Sequence, residues 1–312
     1  MCTGIVYKHT GSHYIVKDKT SGNLFLCTVS GKLRLHDMQT TNPIAAGDRV
    51  TFEPLSYNAG VIRNIEARKN YIIRRSSNLS KQAHIIAANV DRAFLIITIE
   101  LPRVILEFAD RFLVTCEAYK VPASIVVNKT DCYAAEALQK MAHIEKIYAG
   151  AGYTVLPVSA YSGHNIAALR TATRGALCLF AGQSGVGKSS LINAIDPSLN
   201  LRTGSISNYH QKGMHTTTFY EVFDIADGGH IIDSPGIKGF GLVDVDKNEL
   251  YHFFPELFRY AAHCKFTMCT HTHEPGCAVK AALGHHLISP ERYDSYLKMR
   301  DDDGGKYRIM DY

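Results

Sequence analysis

The sequence predicts three regions of different fold class: a small N-terminal β-barrel, a central α/β domain and a helical C-terminal region. Residues 1–68 hold short apolar or β-branched runs that glycines and polar turn residues separate. Strand and helix patterns alternate from Arg92 onward, and cysteines cluster beside histidines after Gly241. We expect domain boundaries at 1–68, 69–241 and 242–312.

The composition is that of an ordinary globular chain. It has 312 residues, of which 46% are hydrophobic and 20% charged, and a domain usually takes roughly 100–200 residues. There is no apolar run of the roughly 20 residues that cross a bilayer, and the first residues lack a secretory pattern. We therefore expect a cytoplasmic protein without a membrane partner.

Positive charge is concentrated in the N-terminal quarter. Residues 1–84 carry 12 Lys and Arg against 5 Asp and Glu, whereas residues 85–312 carry 22 against 24. A basic surface on one small domain favours a polyanionic partner, most commonly nucleic acid, although a solvated basic face without a partner is the alternative.

The first region contains five predicted strands without helical periodicity. An oligonucleotide-binding (OB) barrel fits their number and length, with an SH3-like barrel as the alternative. The strands are Thr3–Lys8, His13–Lys17, Leu24–Val29, Asp48–Glu53 and Val61–Ile65. The following segment, Ala67–Lys81, is predicted to be a polar, basic connector.

The central region alternates strands with helices, which is typical of a mostly parallel sheet covered on both faces. The predicted strands are Ala93–Thr98, Ser124–Val127, Thr154–Val158, Leu177–Ala181, Phe219–Phe223 and His230–Ile232. The predicted helices are Val104–Tyr119, Ala134–Ala149, Ile166–Arg174 and one that starts near Gly187. Two more, Asn248–Ala262 and Pro290–Asp301, are predicted in the C-terminal region.

A phosphate-binding loop follows the strand that ends at Ala181. The pattern G-x-x-x-x-G-K-[ST] lets backbone N–H groups and a helix N-terminus surround phosphate oxygens. Lys188 is predicted to contact the β- and γ-phosphates, and Ser189 to ligate Mg²⁺. The predicted nucleotide-binding residues here are Gly182, Gln183, Ser184, Gly185, Val186, Gly187, Lys188, Ser189 and Ser190.

The base that is bound is predicted from two other strand ends. The motif Asn128, Lys129, Thr130 and Asp131 follows an apolar strand. A carboxylate there accepts hydrogen bonds from guanine N1–H and its 2-amino group, a pair of donors that adenine lacks. Ser159 and Ala160 follow the next strand, where the Ala160 N–H is expected to donate to guanine O6. GTP and GDP are therefore the predicted ligands.

The Mg²⁺ and hydrolysis elements come last. Asp233 and Gly236 form a D-x-x-G element, with Asp233 in the Mg²⁺ shell and Gly236 sensing the γ-phosphate. Thr217, with Thr216 as the alternative, is expected to complete the Mg²⁺ coordination when GTP is bound. His215 is the candidate for orienting the attacking water.

Ile237 stands where Ras-like enzymes place a glutamine that orients this water. An isoleucine side chain forms no hydrogen bond, so intrinsic hydrolysis is expected to be slow and to be accelerated by a partner. The guanine motifs precede the phosphate loop, a permuted order. The C-terminal region therefore continues directly from the D-x-x-G switch, and we hypothesise that the two are coupled.

With these motifs, the chain closely resembles the circularly permuted, ribosome small-subunit-dependent GTPase A family of bacteria over nearly its whole length. The matching segments are the barrel, NKTD, VSAYSG, GQSGVGKSSLIN, HTTT, DSPGIKGFG and HEPGCAV. The resemblance implies an OB-fold domain, a permuted GTPase domain and a zinc domain. It also implies binding to the small ribosomal subunit and its rRNA late in assembly, with subunit-stimulated GTP hydrolysis. Met214 departs from the family, which usually carries Arg there.

Cys264, Cys269, His271 and Cys277 supply three thiolates and one imidazole, a full tetrahedral set for a structural Zn²⁺. The family carries ligands at the same four positions, and His263 and His273 are neighbouring alternatives. Four protein ligands leave no open position for a hydrolytic role.

The leading prediction is a GTPase assembly factor that acts as a monomer. The alternative is an RNA-binding module that uses GTP mainly as a conformational ligand. An ATP-dependent enzyme is disfavoured by Asp131.

Overall fold

The computed structural model describes residues 1–10, 12–31, 44–75, 83–202, 220–236 and 245–302. Within these ranges it contains a five-stranded barrel, a parallel α/β sheet and a helical C-terminal part. None of the described helices has the length and apolar content needed to cross a membrane.

The N-terminal strands form the predicted barrel. They pair in the order β1-β2-β3-β5-β4, and β4 returns to pair with β1, so the circuit is closed. Alternate residues such as Val6, Val16 and Phe52 point inward and are fully buried, as a half-buried strand requires. The strands are β1 (Cys2–His9), β2 (Tyr14–Asp18), β3 (Leu24–Val29), β4 (Arg49–Pro54) and β5 (Ala59–Ile65).

The predicted connector Ala67–Lys81 was wrong in part, because it contains a strand. β6 (Tyr71–Arg75) pairs with β7 (Ala83–Ala88) in a two-stranded antiparallel sheet. The run Tyr71-Ile72-Ile73 is the reason: Ile72 is fully buried against the central core, and β-branched residues suit a strand that is partly covered.

The central sheet has the strand order β10-β9-β8-β11-β13-β12. All neighbouring pairs are parallel except β12–β13, and buried apolar clusters cover both faces. The strands are β8 (Arg92–Ile97), β9 (Ala123–Val127), β10 (Thr154–Pro157), β11 (Leu177–Ala181), β12 (Glu221–Asp224) and β13 (His230–Asp233). The helices are α1 (Leu106–Ala118), α2 (Ala135–Ala151), α3 (Ile166–Thr173) and α4 (Lys188–Ile195).

The single predicted helix Asn248–Ala262 was wrong, because the structure divides it. A 3₁₀ turn, Leu250–Phe253, precedes α5 (Pro255–Ala261), with Phe254 extended between them. Pro255 explains the division: it lacks an N–H to continue the turn and disfavours helical geometry at the residue before it. Two further helices follow, α6 (Ala278–Gly284) and α7 (Pro290–Asp301).

Candidate guanine-nucleotide site and metal cluster

The predicted motifs meet at one edge of the central sheet. β9, β10, β11 and β13 run in the same direction, and each is followed at its carboxyl end by one of the motifs. The carboxyl ends of parallel strands are where ligands bind in open α/β sheets.

The phosphate loop lies between a buried strand and a helix. β11 ends next to Gly182, and α4 begins after Gly187. The first N–H groups of a helix lack partners within it and carry the positive end of its dipole. The loop therefore presents donors suited to phosphate oxygens.

Lys188 and Asp233 provide opposite charges at this loop. Lys188 Nζ donates to Gly182 O at 2.8 Å and to Gln183 O at 2.9 Å. Burial lowers the pKa of Lys188 to about 8, and the Asp233 charge opposes that shift. Burial raises the pKa of Asp233 to about 6, with Lys188 opposing the increase and Glu221 adding to it. Asp233 Oδ1 is buried and accepts no hydrogen bond from the described residues, which leaves it available to a cation or its water shell.

Gly236 borders the same loop. A Cβ built on Gly236 would lie 2.8 Å from both the N and Cα atoms of Ser184. Such a distance to backbone is too short for any residue except glycine. The D-x-x-G element and the phosphate loop are therefore in direct contact.

The guanine-reading loops are joined to each other. Ser159 Oγ donates to Asp131 Oδ1 at 2.5 Å, and Cys132 Sγ donates to Asp131 Oδ2 at 3.2 Å. The Ser159 hydrogen bond, followed by that of Cys132, lowers the pKa of the Asp131 carboxyl, so it is ionised at neutral pH. Thr130 Oγ1 donates to Val158 O at 3.0 Å, which fixes the loop to the end of β10.

Asn128 connects these loops to the phosphate loop. Its Nδ2 donates to Val186 O at 2.9 Å, and its Oδ1 accepts from the Ala160 N–H at 3.2 Å. Asn128 is 1% exposed, so both bonds are shielded from water. Lys129 has a left-handed backbone, with φ 67°, and its Nζ donates to Leu101 O at 2.6 Å.

Tyr133, which the sequence analysis did not identify, stabilises the loop that contains Asn128. Its hydroxyl donates to Asn128 O at 2.5 Å and accepts from the Ile99 N–H at 2.9 Å. Tyr133 thereby links the ends of β8 and β9. A tyrosine two residues after the motif gives no signal by itself, because its partners are backbone atoms, one of which, the Ile99 N–H, lies in another segment.

Several predicted residues lie outside the described ranges. These are Met214, His215, Thr216, Thr217 and Ile237. Their predicted roles in Mg²⁺ coordination and water orientation remain predictions.

The C-terminal cysteines and histidine converge. The ligand atoms of Cys264, Cys269, His271 and Cys277 all lie within 4.8 Å of one another. Cys264 Sγ and Cys277 Sγ are 3.5 and 3.6 Å from His271 Nδ1 and 4.0 Å from each other. Zn–S bonds of about 2.3 Å in a tetrahedron place sulfur atoms about 3.8 Å apart, so the cluster fits zinc. His263 and His273, the alternative ligands, are not members of this cluster.

The metal loop is held by its own carboxylate and by α7. Glu274 accepts hydrogen bonds from the Thr270 N–H at 2.7 Å and the Thr272 N–H at 3.0 Å. From α7, Tyr293 donates to His271 O at 2.7 Å and Tyr296 to Thr270 O at 2.8 Å. These contacts position the ligand atoms from two sides.

Fold and site together define a P-loop GTPase with permuted motifs and an added barrel and zinc-type cluster. Comparison with known proteins gives the family. Residues 65–243 match the family model described as RsgA GTPase, and residues 3–62 match that of the RsgA N-terminal domain. The chain belongs to the RsgA GTPase family.

Relatives match over nearly the whole length. The chain is 50% identical over 306 residues to the small ribosomal subunit biogenesis GTPase RsgA 2 of Bacteroides thetaiotaomicron, covering 98% of each chain. It is 46% identical over 312 residues to the small ribosomal subunit biogenesis GTPase RsgA of Christiangramia forsetii, covering 99% of each.

Solved structures give the same result. The crystal structure of YjeQ from Thermotoga maritima matches with a TM-score of 0.76 and 33% identity, over 96% of this chain and 97% of that one. The crystal structure of YloQ, described as a circularly permuted GTPase, matches with a TM-score of 0.71 and 28% identity, over 96% and 94%.

Proposed function

We propose that this chain hydrolyses GTP while it matures the small ribosomal subunit, to whose rRNA it binds. The observation that carries the GTP assignment is Asn128, which joins the guanine-reading loops to the phosphate loop through Val186 O and the Ala160 N–H. The subunit is proposed from the names of relatives that are 46–50% identical over almost the entire chain.

The residues present fit a guanine nucleotide. Asp131 would accept the two guanine donors, and its ionised state favours that role. The Ala160 N–H would exchange Asn128 Oδ1 for guanine O6, and the amides of residues 182–190 would bind the phosphates. Lys188 would exchange its bonds to loop carbonyls for phosphate oxygens. Burial lowers the pKa of Lys188. The negative charge of bound phosphate would raise this pKa again and so favour the protonated form of the lysine.

The residues also fit a magnesium ion. The buried Asp233 Oδ1 without a described partner and the Ser189 hydroxyl are oxygen donors, which Mg²⁺ prefers. Mg²⁺ would neutralise phosphate charge, and Thr217 would complete its coordination. His215 is proposed to orient the attacking water, and Gly236 to sense the γ-phosphate through its N–H.

Zinc is proposed for the C-terminal cluster. Cys264, Cys269, His271 and Cys277 would hold it as a closed structural site, because all four positions of a tetrahedron are filled by the protein. The ion would join the loop after α5 to the start of α6.

The remaining assignments are also proposals. The basic N-terminal barrel would be the part that approaches rRNA. We propose three domains with boundaries near 1–68, 69–241 and 242–312, and a monomeric protein that acts in the cytoplasm, where ribosomal subunits are assembled in bacteria.

Phosphate release with and without purified small subunits tests the enzymatic proposal. Slow release alone and a large increase with subunits are expected. Bound but unhydrolysed GTP in both conditions would instead support an RNA-binding module that uses GTP as a conformational ligand.

An Asp131→Asn variant tests the base assignment. The amide would present a donor to the guanine 2-amino group, so GDP affinity is expected to fall at least about a hundredfold. Xanthosine diphosphate has an oxygen at that position and should bind the variant better than the wild type. Cys132→Ser keeps a donor beside Asp131 and serves as the matched control, with guanine preference retained. Unchanged GDP affinity in Asp131→Asn would contradict the assigned site.

A further inference from the structure

The barrel is joined to the central sheet at β12, the first of the two strands that lie between the predicted threonine loop and the D-x-x-G element in sequence. β1 pairs with β12, with Lys8 opposite Glu221, and Glu221 lies opposite Asp233 on β13. Directly opposed residues of neighbouring strands point to the same face of a sheet. Lys8, Glu221 and Asp233 therefore form a row from the barrel to the proposed Mg²⁺ residue.

Side chains of the barrel hold β12 at two of its residues, Glu221 in this row and Asp224 on the opposite face of the strand. Lys8 Nζ lies 2.7 Å from Glu221 Oε2, and Lys17 Nζ lies 2.5 Å from Asp224 Oδ2. Tyr7 OH donates to Asp224 Oδ1 at 2.6 Å. The two lysine side chains are 26% and 31% exposed, so solvent and other anions can reach both of them.

The barrel is also anchored independently of β12. Gly47 lies just before β4. A Cβ built on it would lie 2.2 Å from Ala88 O, so the backbone at Gly47 approaches the end of β7 closely. The Ala88 N–H donates to Ala46 O at 2.9 Å, and Asn89 Nδ2 donates to Gly47 O at 3.0 Å. These contacts are buried, so the barrel can stay in place while its hold on β12 changes.

We propose that the barrel restrains β12 through Lys8 and Lys17, and that a phosphate backbone bound at the barrel releases the strand by taking over these lysines. The trigger rests on the RNA partner proposed above, whereas the restraint does not. Lys8 and Lys17 are positioning residues: they act on the nucleotide site through the strand that leads from the threonine loop and lies beside Asp233.

Electrostatics supports an exchange of this kind. Exposed lysine–carboxylate pairs contribute little to stability and are given up easily. A nucleic-acid backbone gains affinity for each lysine that it contacts, because counterions are released. Loss of Lys8 leaves the Glu221 charge uncompensated next to Asp233 and so makes the Mg²⁺ end of the site more negative.

Hydrogen exchange of the peptide that contains Glu221–Asp224 tests the restraint in the full-length, GDP-bound protein. Lys8→Glu and Glu221→Lys each place like charges opposite one another and should speed exchange by about fivefold or more. The double variant Lys8→Glu/Glu221→Lys restores an opposite pair and should return exchange to within about twofold of wild type. Arg63→Glu, which breaks the exposed pair with Glu53 inside the barrel, should leave this peptide unchanged. Failure of the double variant to recover protection would overturn the restraint.

Purified small subunits test the trigger. They should speed exchange of this peptide more in wild type than in the double variant, because the glutamate introduced in place of Lys8 cannot bind phosphate and the reversed pair still holds β12, while the Lys17–Asp224 pair is the same in both proteins. If Lys8 only held the strand and did not bind phosphate, small subunits would change hydrogen exchange equally in the wild type and in the double variant. Subunits that co-sediment with wild type without changing the peptide would overturn the trigger alone. Absence of co-sedimentation would overturn the RNA partner and the trigger together, while the rescue result would still decide the restraint.

Discussion

The central domain meets the barrel and the C-terminal helices through ionic contacts of opposite character. At β12 the cations are half-exposed lysines, each paired with one carboxylate at the surface. At α1 the cation is Arg292 of α7, whose side chain is 1% exposed. Its guanidinium lies 2.7 Å from both Asp110 of α1 and Glu256 of α5.

Aromatic rings around Arg292 add to the difference in burial between this contact and the lysine pairs at β12. Its guanidinium lies 4.6 Å from the ring centre of Phe254 and 5.7 Å from that of Tyr148. Tyr148 OH also donates to Asp110 Oδ1 at 2.9 Å. A fully desolvated pair with several partners is expensive to break, because any separation leaves a buried charge uncompensated.

This difference in burial indicates which of the two contacts can change during a reaction cycle. Exposed pairs can exchange partners at little cost, whereas the Arg292 pairs should persist. The hypothesis that the C-terminal region follows the D-x-x-G switch is therefore sharpened: we expect that region to move together with α1, and β12 to be the element that responds to a partner.

Zinc removal should give the largest effect, and only on the C-terminal side. Strong chelation is expected to abolish hydrogen-exchange protection in residues 264–277, because the four coordination bonds that would hold this loop together are lost with the ion. GDP binding should persist, since the described guanine-loop residues make no contact with the cluster. Protection at Glu221–Asp224 serves as the internal control and should be unchanged. Full protection of residues 264–277 after complete chelation would contradict a structural zinc site.

Arg292→Met should destabilise the protein by about 3–5 kcal/mol, because it leaves Asp110 and Glu256 buried without a cation. Urea denaturation measures this change. Adding Asp110→Asn and Glu256→Gln to the same chain removes the orphaned charges and should recover part of the loss. A single Arg292→Met variant as stable as wild type would show that this contact is not a permanent one.

Lys8→Met should lower the free energy of unfolding by no more than about 1 kcal/mol. Urea denaturation measures this change as well. Arg63→Met, which removes the exposed Arg63–Glu53 pair, is the matched comparison and should give a similarly small loss. A loss comparable with that of Arg292→Met would remove the distinction between the two contacts.

Salt should give the smallest effect. Between about 0.05 and 0.5 M ionic strength the screening length falls severalfold, which weakens exposed pairs but hardly affects buried ones. Exchange at Glu221–Asp224 is expected to rise modestly, about twofold, while exchange in α7 stays constant. Equal sensitivity of both peptides would contradict the assigned difference in burial.

Local sequence patterns were sufficient to predict many of the strands, helices and motifs of this molecule. The strand Leu177–Ala181 and the helix Pro290–Asp301 were predicted with the bounds that the structure gives, because a buried apolar run and a Ser-Pro helix start are local signals. The nucleotide motifs were also identified from sequence, since phosphate and guanine recognition need fixed residue types at fixed spacing. Pro255 and the strand Tyr71–Arg75 show where local reading was wrong, through an overlooked helix break and an apolar run assigned to a connector.

Tertiary structure alone decided how the parts are joined. Tyr133 beneath Asn128, Lys8 opposite Glu221 and Arg292 between two carboxylates are contacts that no local pattern signals, and the last two join residues far apart in sequence. A lysine or arginine is equally consistent with a solvated surface until its surroundings are known, because burial and partner geometry determine whether a charge pair is weak or costly to break. Residue types at fixed spacing were thus enough to predict the chemistry of the nucleotide site and of the metal cluster. The fold decides which charges are buried, and this difference in burial is the reason that we expect the Arg292 contact to persist and the Lys8 contact to be exchanged.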